Sequence, residues 1–140
     1  CLELMNEMWS FVTPGPRGIP STAMLGEGID KYLQKHKLDI RLDYLGIPGE
    51  KQLRPDLGTV VAFLQKPLEN DIPVAFLNLD NGKVDKLESY HWVTVTSMEY
   101  SLEENMAYLE IIDGGDEIKI DLLCWLNTTK AGGGFVSFTL

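Results

Sequence analysis

The sequence predicts an α+β domain, with helices in its first half packed on an antiparallel β-sheet formed mainly by its second. Three observations carry that expectation. Apolar residues recur at helical spacing in the first 65 positions. Alternating or continuously apolar runs of strand length follow, and polar turn residues rather than crossover helices join them. A chain of 140 residues is long enough to bury one substantial core.

Leu2 to Val12 places apolar residues on one side of a helix and Glu3 and Glu7 on the other. The run Thr13-Pro14-Gly15-Pro16-Arg17-Gly18-Ile19-Pro20 ends it, because so much proline and glycine cannot sustain helical hydrogen bonding. Ser21 is a good N-cap for a second helix from Thr22 to about Lys37, whose buried stripe is Met24, Leu25, Ile29, Tyr32 and Leu33. Lys31, Lys35 and Lys37 suit the negative end of its dipole. Ile40 to Leu45 alternates as a strand does, and Gly46 to Pro55 reads as a loop. Asp56 can cap a third helix over Leu57 to about Gln65, ended by Pro67 and the polar Glu69-Asn70-Asp71.

Ile72 to Leu79 is nearly all apolar, as expected of a central strand covered on both faces, with Pro73 tolerable only at its start. Asp80-Asn81-Gly82-Lys83 is a turn signal, and Lys83 to Tyr90 is too polar for a clean partner strand. From His91 toward Tyr100 the pattern alternates, so His91, Val93 and Val95 share one face and Trp92, Thr94 and Thr96 the other. After the polar loop Ser101 to Asn105, Met106 to Ile112 reads as the next strand. Asp113-Gly114-Gly115-Asp116 turns it into Glu117 to Ile120. Asp121 caps a short helix over Leu122 to Leu126. Asn127 to Lys130 and the three glycines 132–134 form a loop before a last strand, Phe135 to Leu140.

Charge and composition narrow the function classes. Lys and Arg number 12 against 21 Asp and Glu, so the net charge is 12 − 21 = −9. Such a surface repels phosphate backbones, so nucleic acid is not an expected partner. No run approaches the roughly 18 apolar residues a membrane-spanning helix requires. The two cysteines, Cys1 and Cys124, cannot build a disulfide scaffold. Cys124, within Leu122-Leu123-Cys124-Trp125-Leu126, reads as a buried apolar thiol. Asn127-Thr128-Thr129 fits a glycosylation sequon and reads as loop chemistry by default.

Only two histidines can serve as a general base. His36, between Lys35 and Lys37, reads as solvated helix surface. His91 opens an apolar strand directly after a polar segment, where backbone pairing would anchor it while its ring faces a cleft. Asp113 ends the next strand. Strands joined by a hairpin lie about 4.8 Å apart, so its carboxylate can accept the Nδ1–H of His91 and fix the ring's tautomer. Each residue also has a plain reading, His91 as a hydrogen-bonded, partly buried histidine and Asp113 as a turn aspartate before Gly-Gly. Together they fit the base-and-orienter half of a nucleophilic triad.

His91-Trp92-Val93-Thr94-Val95 resembles the histidine strand of bacterial papain-like cysteine peptidases related to the bacteriocin leader-processing peptidases. Thr13 to Pro20 followed by a helix, Ile72-Pro73-Val74, Ile111-Ile112-Asp113-Gly114 and Gly132-Gly133-Gly134-Phe135-Val136 are similar to further segments of that family, in the same order. The resemblance implies one papain-like domain over residues 1–140, a peptide or protein substrate, an extracellular or cell-envelope location, and His91 and Asp113 as catalytic residues in need of no cofactor or metal. The family's nucleophile belongs to a Cys-Gly-Pro-type motif opening a helix, and here Cys1 is followed by Leu2-Glu3. A thiolate at a helix N-terminus would be activated. Leu2 to Val12 nevertheless matches better the family helix after the nucleophile helix, so the expectation is a domain without its nucleophile segment. Two other readings stay open. One is an inactive relative that binds peptide or protein with the same His91–Asp113 pair. The other is an unrelated acidic binding domain in which that pair is apart.

Overall fold

The computed structural model describes all 140 residues. Four α-helices and six strands run in the order α1 (Leu2–Phe11), α2 (Thr22–Lys35), β1 (Arg41–Ile47), α3 (Leu57–Glu69), β2 (Val74–Asn78), β3 (His91–Ser101), β4 (Met106–Asp113), β5 (Asp116–Asp121), α4 (Leu122–Thr128) and β6 (Gly133–Thr139). A 3-10 turn, Lys51–Leu53, interrupts the loop after β1. Every strand pairing is antiparallel, in the spatial order β1-β6-β2-β3-β4-β5. The last strand therefore inserts between the first two, and the fold is mixed α+β.

Caps set the helix starts. The Ser21 side chain accepts from the Met24 amide, Asp56 from that of Thr59 and Asp121 from that of Cys124, each supplying an acceptor that the first helical turn lacks. The third helix runs four residues beyond the expected end, through Pro67 to Glu69. A proline in the last turn loses one helical hydrogen bond, and burial of Pro67 with Leu68 packed on the core outweighs that loss.

Alternation sorts the sheet into two faces. Val74, Phe76, Val93, Val95, Leu109, Ile111 and Phe135 point to one side, where Val60, Val61 and Leu64 of α3 and Leu122 and Trp125 of α4 close the core. Phe76 stacks on Phe135 and meets Trp125 edge-on, with centroids 4.7 and 4.9 Å apart. The second helix covers the other face at the β1–β6 end, where Gly26 lies so close to the Tyr44 ring that any side chain there would collide with it. The first helix lies antiparallel on α2, with Phe11 against Tyr32 and Glu7 bonded to Lys35 and His36.

The sixth strand starts two residues earlier than its composition suggests. Gly133 has φ +153°, and a Cβ there would lie 1.9 Å from the Leu77 carbonyl oxygen. The glycine run that reads as a loop is thus the tight beginning of a central strand, at a close approach only glycine allows.

Candidate functional site

The local sequence brings His91 and Asp113 together in three steps. Thr94 pairs with Ile112 and Val95 with Ile111, so continuing that register by one residue sets Asp113 across from Val93. His91 shares the face of Val93 by strand alternation, one diagonal step from Asp113. Gly114 and Gly115, both at positive φ, then turn the chain back at Asp116.

The His91 Nε2–H donates to an Asp113 carboxylate oxygen at 2.7 Å. The ring is 38% exposed and the carboxylate 21%, so the bond is partly shielded while the ring keeps an open edge. The engaged nitrogen is Nε2 rather than the Nδ1 the sequence reading assumed. A carboxylate only accepts, so Nε2 carries the proton and the neutral ring holds its lone pair on Nδ1. That nitrogen has no partner in the protein. The pair is a polarised imidazole with one free basic nitrogen.

Residues that sequence reasoning passed over hold this arrangement. Asn78 lies opposite His91 on β2 and is fully buried. Its amide donates to the Glu88 carbonyl at 2.7 Å, and its oxygen accepts the Trp125 Nε1–H at 2.8 Å. Trp125 also donates to the Asp80 carbonyl, which accepts the Thr129 hydroxyl as well. This network pins both ends of the segment between β2 and β3, which delivers the chain to His91. Tyr90, just before His91, sits at φ +57° and is 68% exposed. A bulky residue in left-handed backbone is strained, and such strain gathers at functional sites. On the other side, the Trp92 indole donates to the Ile19 carbonyl at 2.9 Å and ties the proline-rich loop before α2 to the start of β3. The signal for Trp92 was an indole on the outer face of an alternating strand; nothing in the sequence pattern singled out Asn78.

Neither cysteine is near the pair. Cys1 is the residue just before α1 and lies beyond Glu7, which is bonded to the far end of α2. The near end of α2 is tied to β3 through Ile19, and its 14 residues span about 21 Å, so Cys1 is on the order of 20 Å or more from His91. Cys124 lies beside Tyr108 and Ile120. Tyr108 is five residues along β4 from Asp113, roughly 17 Å away. His36 bonds Glu7 at 2.8 Å on the helix surface, as its charged neighbours suggested. No three acidic, histidine or cysteine side chains converge to hold a metal ion, and no helix is long and apolar enough to cross a membrane.

No family model matches this chain, and no curated protein or solved structure matches it.

Proposed function

We propose that His91 and Asp113 are the general base and orienting acid of a papain-like cysteine peptidase, whose nucleophilic cysteine is supplied from outside these 140 residues. The observation that carries this reading is the division of labour on one ring: Nε2–H is committed to Asp113 and Nδ1 is free. The helix-first order and the antiparallel sheet, with histidine opening one strand and aspartate closing the next, support it.

In the proposed reaction, Nδ1 takes the proton of a thiol held within about 3–4 Å, and Asp113 stabilises the imidazolium that forms. The thiolate attacks the peptide carbonyl carbon. As the tetrahedral intermediate collapses, the Nδ1 proton passes to the leaving amine and an acyl-thioester remains. Water, deprotonated by the same nitrogen, then attacks the thioester and releases the acid and the thiol.

A second reading has its own observation: both cysteines lie far from His91. A papain-like domain with no cysteine in reach would bind peptide or protein without cleaving it. Peptidase assays on the polypeptide extended by its preceding segment separate the two. An active enzyme gives iodoacetamide-sensitive cleavage of a generic peptide pool, reduced at least about 100-fold by His91→Ala. The 140 residues alone give none above the His91→Ala control. Cleavage indifferent to His91→Ala would overturn the proposal, and a preceding segment without cysteine would establish the non-cleaving reading.

A further inference from the structure

A cavity of about 740 Å³ is at the opposite end of the sheet from His91. Gly133 of β6 faces the His91 end and Thr139 the cavity end, so β6 alone separates the two by about 20 Å. The cavity opens between the last turns of α3 and the outer ends of β1 and β6. Its volume falls in the range of small-molecule sites. Phe63 and Ile72 supply an apolar wall. Lys66 lines it with no acidic partner, and Arg41 engages Asp43 through Nε and one terminal nitrogen, leaving the other terminal nitrogen free.

Ser137 is the informative residue. It is only 4% exposed and lines this cavity. Its hydroxyl has no hydrogen-bond partner in the protein, yet no fully enclosed polar side-chain atom of the molecule is unpaired. The small surface this hydroxyl retains therefore opens on the cavity. A nearly buried hydroxyl without a partner costs free energy unless something in the cavity bonds to it.

We propose that this cleft binds a small monocarboxylate with an apolar or aromatic body. The carboxylate meets Lys66, the free edge of Arg41 and the Ser137 hydroxyl, while the body lies on Phe63 and Ile72. One unpaired lysine matches one negative charge. A phosphate dianion would leave surplus charge beside Asp43 in a protein already at −9. The site is independent of the His91–Asp113 pair.

Titration of the ¹⁵N-labelled chain with 4-methylbenzoate, followed by amide chemical shifts, tests this. Saturable shifts are expected around Lys66, Asn70 and Ser137, and none around His91. The neutral, similarly shaped 4-methylbenzamide should bind about tenfold more weakly, and Lys66→Met should weaken the benzoate by a similar factor, as loss of one charge-assisted hydrogen bond implies. Ser137→Ala should weaken binding while leaving the thermal midpoint unchanged or higher, an outcome a purely structural hydroxyl would not give. Shifts scattered over the surface, equal binding of acid and amide, or benzoate affinity unchanged in both Lys66→Met and Ser137→Ala would overturn the proposal.

Discussion

Arg54 is a cation with no acidic partner and four backbone acceptors, and replacing it should cost more than any single surface substitution. Its Nε donates to the Pro48 carbonyl at 2.8 Å, and its terminal nitrogens donate to Leu126 and Thr129 at 2.6 Å and to Gly49. It thereby joins the loop after β1 to the end of α4, whose terminal carbonyls have no helical donors. The Gly49 bond is exposed and water can replace it; the other three are partly buried. At about 1 kcal/mol net for each of those three, Arg54→Met, which keeps the apolar stem, should destabilise the fold by about 3 kcal/mol. For a domain of this size that lowers the thermal midpoint by roughly 10 °C. Urea unfolding followed by far-UV circular dichroism reads the loss directly. Lys51→Met on the same turn, whose side chain makes no hydrogen bond, should stay within about 0.5 kcal/mol of wild type. A loss below about 1 kcal/mol for Arg54→Met, or equal losses for the two variants, would refute the idea that Arg54 clasps these segments.

Other outcomes follow from the same physical reasoning. Asn78→Leu leaves the Glu88 carbonyl and part of the Trp125 indole unpaired, so it should cost about 1–3 kcal/mol and speed amide exchange at Val84 and Leu87, whereas unchanged exchange there would show that the 79–90 segment holds without it. Asp56 is held below the ordinary aspartate range, chiefly by the Thr59 backbone amide and then by the Thr59 side chain. Its folded value is depressed, so its stabilisation is present above the unfolded value and lost as pH falls through the folded one. Wild type should therefore exceed Asp56→Ala in stability at neutral pH, with the gap closing below the ordinary aspartate range. A pH-independent gap in paired denaturation curves would contradict this cap assignment.

Much of the fold was legible because its signals are local. Ser21, Asp56 and Asp121 mark helix starts through acceptor chemistry within three residues, and the alternation from His91 to Val95 assigns each side chain to a face, until a bulge before Ser97 shifts the register and turns Met98 to the core. The proximity of His91 and Asp113 was legible for a related reason, since a hairpin makes consecutive strands neighbours. What escaped depends on distant partners. The persistence of α3 through Pro67 is decided by core burial, and the early start of β6 by the close approach of Gly133 to Leu77. Which nitrogen of His91 meets Asp113 depends on ring rotation, which strand spacing does not encode. The four carbonyls around Arg54 come from segments up to 75 positions away, so no local pattern announces them.

The proton on His91 is the most direct test of the base-and-orienter account. In ¹⁵N NMR of the imidazole at a pH where the ring is neutral, the proton should reside on Nε2 and leave Nδ1 unprotonated, and Asp113→Ala should relax the ring to the tautomer mixture of an unconstrained imidazole. A proton resident on Nδ1, or an Nε2–H tautomer unaffected by Asp113→Ala, would contradict the account.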